Sequence, residues 1–323
     1  MAETGSGHLR PDRAFGPRSR HGERMNLRTI AAFAAFAFSA LPAHAVDILT
    51  AKGLVQIAAS PTKIAVLDIA ALDTLDRLGI KPAGVPQKLY LPQLEPLKQG
   101  AEIVGDLFEP DLEALSALGP DLIIVGGRSS TKASATAQVA QTIDMTMDGD
   151  DLVAQAKERL AAYGVLFGKT AEAASAVEEL DARIKAAKAA IAGKGNGLII
   201  MTNGPKVTAY GPGSRFGWVH AALNLPAAVP DIEATNHGEA ISFEFIAKAN
   251  PDWLLVLDRA AAIGSGEQGA KTTLDNELVA KTTAWKKNQV IYLPAAEFYI
   301  AAGGVQSIQR VVATVAEAFT AAR

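Results

Sequence analysis

The chain has 323 residues, with 31 basic and 34 acidic side chains and no cysteine. A net charge of −3 argues against a nucleic-acid binder, which carries a basic domain, and the missing thiols exclude disulfides, thiolate metal sites and cysteine nucleophiles. Apolar residues make up 49%, which at this length can build the cores of two domains.

Residues 1–24 are polar, Arg-rich and without periodicity, and no fold is expected of them. Met25-Asn-Leu-Arg then supplies a basic start, and Thr29 to Leu41 is an almost unbroken apolar run. Pro42-Ala43-His44-Ala45 closes it with the small-x-small pattern of a cleavage site. Residues 1–45 therefore read as a leader and secretory signal peptide, removed near Ala45. The apolar run is too short for a permanent membrane helix. Six arginines and three acids leave with it, so the mature chain carries 25 basic and 31 acidic groups, a formal charge of −6. A local cluster of arginines can still receive an anion on such a surface. No cysteine follows the signal, so a free exported protein is expected and not a lipoprotein.

After Val46, short apolar runs alternate with helical stretches. KIAVLDI (63–69) is strand-like, and AALDTLDRLGI continues at helical spacing to Gly79. LEALSALG (112–119) reads as a short helix ending at Gly119, followed by the strand LIIVGG. Asp151 to Ala192 is the longest helical stretch and contains no proline. Gly164 and Gly168 are expected to divide it, with Thr170 capping the second piece. The run from Ala171 to Ala192 spans about 33 Å at about 1.5 Å per residue, either a rigid strut or an ordinary surface helix. GLIIMTNG (197–204), VTAYG (207–211), FEFIAKAN leading into WLLVLDR, and QVIYLP (289–294) follow. Strands alternating with helices between Gly and Pro predict α/β units around largely parallel sheets.

One unit occurs twice. Aligning Glu113 with Glu244 brings Pro120 onto Pro251, Asp121 onto Asp252 and Arg128 onto Arg259 without a gap. Each copy reads Glu, short helix, Pro-Asp, buried strand, Arg. Both arginines then stand at the carboxyl ends of strands, where open α/β sheets bind ligands.

The mature chain has eight arginines. Besides the strand-end pair, Arg215 lies in the Gly/Pro-rich loop GPGSRFGW. Three guanidinium groups meeting in a cleft suit an anion rich in oxygen acceptors. The competing reading pairs each arginine with a nearby acid, Asp258 with Arg259 being the obvious case. Of the two mature histidines, His220 falls in RFGWVHAALNL as a packing residue, whereas His237 sits in the polar loop ATNHGEAIS. His237 is either an incidental loop residue or a ligand. Tyr299, in EFYIAAGG, follows the last strand at the same edge, and imidazole with phenolate can bind a hard ferric ion. No P-loop, GxGxxG after a strand, GxSxG elbow or HExxH occurs, so an enzyme finds little support.

These pieces resemble the periplasmic substrate-binding proteins of iron-siderophore and vitamin B12 ABC importers. The resemblance rests on KIAVLDIAALDTLDRLGI, GDLFEPDLEALSALGPDLIIVGGR, AEAASAVEELDARIKAAKAAI and HGEAISFEFIAKANPDWLLVLDR. It implies two Rossmann-like lobes with mostly parallel sheets joined by one long backbone helix: an N-terminal lobe over 46–150, connecting helices over 151–192 and a C-terminal lobe over 193–323. The block carrying His237, and YLPAAEFYIAAGG near the end, resemble the branch that binds ferric catecholate siderophores. That likeness implies a cationic cleft of Arg128, Arg215 and Arg259, beside which Trp218 either covers the ligand rings or packs in the core. It also implies that His237 and Tyr299 complete the iron shell, a one-residue shift placing Phe298 there instead. Fe(III) enters inside the siderophore and no intrinsic cofactor is implied. The implied partners are the ferric siderophore and an ABC permease with its ATPase, docked through Glu113 and Glu244. The protein is expected to be a monomer. Haem or a corrinoid is the alternative ligand, and a periplasmic enzyme the alternative class.

Overall fold

The computed structural model describes residues 45–58, 60–147 and 151–322. Apart from Ala45, the expected leader and signal peptide lie outside the described residues. The described chain opens with a hairpin, β1 (Ala45–Thr50) pairing antiparallel with β2 (Gly53–Ala58). Thr50 Oγ1 donates to the Gly53 carbonyl at 2.8 Å, and Gly53 takes the φ of +94° that the turn needs.

A fully parallel sheet follows in the order β5-β4-β3-β6-β7. Its strands are β3 (Ile64–Val66), β4 (Gly84–Val85), β5 (Glu102–Ile103), β6 (Leu122–Val125) and β7 (Thr142–Asp144). Helices α1 (Ile69–Arg77), α2 (Leu112–Leu118) and α3 (Ala133–Thr136) lie on its connections. Every residue of β3 and β6 is buried, as central parallel strands covered on both faces require. That is why IAV and LIIV read as unbroken apolar runs.

Next come α4 (Leu152–Leu166) and α5 (Thr170–Ile191). Gly168, at φ +65°, ends α4, but Gly164 stays inside it, contrary to the expected break. A Cβ on Gly164 would stand 2.7 Å from the Ala173 Cβ, so the missing side chain lets the two helices close together. Thr170 is the first residue of α5 and not its cap. The 22 residues of α5 bury a stripe from Ala173 through Leu180 and Ile184 to Ile191.

The second sheet runs β10-β9-β8-β11-β12. β8 (Gly197–Asn203), β11 (Trp253–Asp258) and β12 (Val290–Tyr292) are parallel, while β9 (Lys206–Tyr210) and β10 (Glu239–Ile241) complete it antiparallel. Its connections hold α6 (Trp218–Leu223), α7 (Phe243–Ala249), α8 (Arg259–Ile263), α9 (Ala270–Leu274), α10 (Thr283–Lys286) and α11 (Ala295–Tyr299). The last helix, α12 (Val305–Ala321), returns to pack on α1, α4 and α5.

A buried polar junction fixes that return. Asp73 in α1, with no exposed surface, accepts from Ser307 N at 2.9 Å, Ser307 Oγ at 3.0 Å and Arg310 Nη2 at 2.6 Å. Arg310 also pairs with Glu297 of α11 at 3.3 Å, so the helix that carries Tyr299 is tied into the same junction. Gly304 sits where a Cβ would meet the Asp73 carboxylate at 2.6 Å.

Candidate functional site

The duplicated unit takes the same form twice. Both α2 and α7 have seven residues, capped at the start by the side chains of Asp111 and Ser242. Both end in a left-handed residue, Gly119 at φ 60° and Asn250 at φ 41°. β6 and β11 follow and deliver their arginines to one edge of the molecule. There a cavity of about 600 Å³ opens, lined by residues from the connections of both sheets.

Arg128 is mounted by two glycines with different tasks. Gly126 is extended, and a Cβ there would meet Asp68 Oδ2 at 2.9 Å, so it permits close backbone approach. Gly127 takes φ +51° and donates its N–H to Thr146 Oγ1 at 2.9 Å. Arg128 then donates to the carbonyls of Tyr299 (3.0 Å) and Ile300 (3.3 Å). Arg259 opens α8. Its Nη1 donates to Asn203 Oδ1 at 2.9 Å and its Nε to the Tyr299 hydroxyl at 3.2 Å. Asp258 does not pair with it, because that carboxylate accepts the backbone N–H groups of Ala261 (3.0 Å) and Ala270 (2.7 Å). Arg215 stands on a turn held by Ser214 Oγ bonding the Gly211 carbonyl at 2.6 Å, and donates to the Tyr299 carbonyl at 3.2 Å. Among the described residues none of the three arginines forms an ion pair with a carboxylate.

All three guanidinium groups surround one ring, 4.9 Å (Arg128), 5.1 Å (Arg215) and 5.9 Å (Arg259) from the centroid of Tyr299. Burial pushes the Tyr299 phenol up, but the Arg259 hydrogen bond and the charges of Arg259, Arg128 and Arg215 outweigh it. Its pKa therefore lies below the ordinary tyrosine value, which makes the phenol a stronger acid than a free tyrosine. Burial, followed by the charge of Arg128, lowers the pKa of Arg215. Three like charges gathered without a carboxylate ion pair leave donors free to meet an anion.

His237 is exposed and lines the same cavity, and its imidazole makes no hydrogen bond to described residues. Its loop is pinned from below, with Tyr210 Oη donating to the His237 carbonyl at 3.0 Å. Tyr299 also lines the cavity, while Phe298 is buried in the core. Trp218 corrects an expectation. It is 4% exposed, does not line the cavity, and its ring packs on Phe298 at 5.9 Å. With Tyr210 and Phe216 it forms the aromatic layer beneath Tyr299, because α6 turns this residue inward. His220 is a packing residue as expected, its Nδ1 2.9 Å from the Leu225 carbonyl. Glu113 and Glu244 are exposed in the first turns of α2 and α7, outside the cavity lining.

Asp68 and Phe108 are among the cavity residues that the sequence pattern does not single out. Asp68 caps α1 and lines the wall, and burial pushes its carboxyl up to about 6 against the lowering by the Ala71 and Ala70 N–H groups and Arg128. Phe108 stands on the rim, 55% exposed. A signal was present for Asp68, an acid directly after a buried strand run. For Phe108 there was only its place in the GDLFEPD turn.

The periplasmic binding protein family matches residues 64–297. The chain is 34% identical over 265 residues to the petrobactin-binding protein YclQ of Bacillus subtilis, covering 81% of this chain and 83% of that one. It is 30% identical over 267 residues to the ferric-anguibactin-binding protein FatB of Vibrio anguillarum, covering 80% and 83%. The crystal structure of YclQ aligns with a TM-score of 0.80 over 85% of this chain and 99% of that chain, at 32% identity. The periplasmic catecholate-siderophore binding protein VctP of Vibrio cholerae aligns at 0.78 over 84% and 99%, at 30% identity.

Proposed function

This chain belongs to the periplasmic binding protein family, a family of substrate-binding proteins and not of enzymes, and from that premise we propose that it captures an anionic ferric siderophore in the cleft. The observation that carries the reading is the convergence of Arg128, Arg215 and Arg259 on Tyr299 without a carboxylate partner. Catecholate oxygens lose protons to iron, so such a complex is a compact polyanion of hydrogen-bond acceptors. Arginine forks match it with paired charge-assisted bonds, strengthened where the cleft excludes water. The named ligands of the relatives, petrobactin, ferric anguibactin and catecholate siderophores, support the siderophore class.

Fe(III) is then cargo, held by the donors of the siderophore. In this reading His237 and Tyr299 offer an imidazole and a phenolate to coordination positions that the siderophore leaves open. The protein is exported by the signal peptide, acts in the periplasm as a monomer, and hands its cargo to an ABC permease and its ATPase. Glu113 and Glu244, one acid per lobe, dock on basic residues of that permease.

Fluorescence quenching of the exported chain by ferric bis-catecholate tests this, with haem and a ferric hydroxamate as comparisons. Submicromolar quenching by the catecholate is expected, with a visible charge-transfer band that shifts in Tyr299→Phe and His237→Ala. Binding of haem alone, or of none of the three, overturns the reading. Glu113→Arg and Glu244→Arg should leave binding unchanged and reduce uptake in cells.

A further inference from the structure

Five large apolar side chains are exposed among the described residues, namely Leu49, Leu54, Ile103, Phe108 and Val165. Phe108 alone of these is aromatic, and it alone lines the cavity. An apolar ring left in water at the mouth of a cationic cleft gains free energy only when something covers it.

The turn that carries the ring is held in place by its own hydrogen bonds. Asp106 Oδ1 accepts the N–H groups of Phe108 (2.7 Å) and Glu109 (2.9 Å), and Asp106 N donates to the Glu109 carbonyl at 3.1 Å. Gly105, at φ +96°, packs where a Cβ would stand 2.5 Å from the Glu109 carbonyl oxygen. Glu109 in turn receives Lys132 Nζ on both carboxylate oxygens at 2.8 Å. Lys132 belongs to the Gly127–Lys132 turn that carries Arg128. The rim aromatic and the cleft cation are thus mounted on two turns tied together.

We propose that Phe108 is a specificity-determining residue, a preorganised aromatic platform at the cleft mouth that stacks on an aromatic ring of the cargo. The inference rests on the ferric-siderophore reading and narrows it to chelates whose iron-binding groups are arenes. The arginines recognise charge and oxygen, which an aliphatic polycarboxylate chelate of iron also offers. Phe108 distinguishes the two, because stacking and burial reward only a ligand with a flat apolar face. With the backbone of the turn already held, covering the ring has only its side-chain torsions left to order.

The test titrates the exported chain and its Phe108→Ala and Phe108→Trp variants with ferric bis-catecholate and with ferric citrate. Phe108→Ala should weaken the catecholate about tenfold, the scale of half-burying one aromatic ring, and change citrate less than about twofold. Phe108→Trp should keep catecholate affinity. Both variants should melt with the wild type, since the side chain is outside the core. Equal losses for both ligands, or no loss for either, overturn the role of Phe108 and leave the siderophore reading standing. Unchanged binding with lost uptake assigns Phe108 to the permease face and overturns it equally. A wild-type chain that binds neither chelate defeats the siderophore reading itself, and this inference with it.

Discussion

The two copies of the duplicated unit share a frame and differ at the tip. In each, the Asp that follows the proline ties the strand to the start of its parallel neighbour. Asp121 accepts Thr62 N, Thr62 Oγ1 and Lys63 N just before β3, and Asp252 accepts Asn196 N just before β8. At the other end Arg128 rides a 3-10 turn and grips backbone carbonyls of α11, whereas Arg259 begins a helix and grips the Tyr299 hydroxyl. The neighbouring polar group differs too, an acid (Asp68) near Arg128 and a neutral amide (Asn203) on Arg259. One backbone design therefore yields one arginine that positions the tyrosine helix and another that sets the chemistry of its oxygen.

The largest expected effect breaks this pair directly. Arg128→Ala and Arg259→Ala should each weaken ferric bis-catecholate by about 2–5 kcal/mol, measured by calorimetric titration. They should differ in a second readout. Arg259 contributes both a hydrogen bond and the leading charge on Tyr299, so its removal raises the phenol pKa more than removal of Arg128. Ultraviolet difference absorbance resolves this, because burial pushes Tyr210 up to about 12 and places its titration above that of Tyr299.

Asp68 gives the next effect. Its folded pKa, about 6, lies above the ordinary 3.8, so the folded state holds a proton that the unfolded state releases between those values. Its contribution to stability is full below about 4 and is lost as pH rises through about 6, a decline of about 2–3 kcal/mol in the unliganded protein. An arriving anion disfavours the carboxylate further, so affinity should rise as pH falls through about 6. Asp68→Asn should flatten both profiles in denaturant melts and titrations, and asparagine still caps α1.

The smallest effect concerns the frame. Asp121→Ala forfeits three accepted hydrogen bonds and Asp252→Ala one, so the first should cost about 1 kcal/mol and the second less. Backbone N–H groups of Lys63, with Thr62, hold Asp121 below the usual carboxylate range. Its share is therefore present above the unfolded pKa and lost as pH falls through the folded one. Chemical denaturation of both variants at neutral and acid pH checks the ordering.

What the sequence disclosed follows from the range of the interactions involved. The strands and the duplicated unit were legible because burial on both faces and helix capping are written in neighbouring residues. Arg128 and Arg259 were legible because the unit occurs twice at one spacing, and Arg215 because it sits in a Gly/Pro-rich loop. Trp218 was misplaced since a single helical turn decides whether an aromatic at the start of α6 faces cleft or core, and Phe298 fills the space before it. Gly164 looked like a helix break, although its function depends on Ala173 across a helix pair. Nothing local foretold the Asp73–Ser307–Arg310 junction, whose partners lie more than 230 residues apart. The same distance hid the return of α12 onto α1.

The central claim is that three unpaired arginines make the cleft a receptor for an anionic iron chelate. The most direct measurement titrates ferric bis-catecholate into the wild-type chain and into the triple variant Arg128→Gln, Arg215→Gln, Arg259→Gln, with thermal melts confirming that both are folded. Submicromolar binding by the wild type and none detectable by the folded triple variant is the predicted result. Equal affinity in the two proteins would contradict the account.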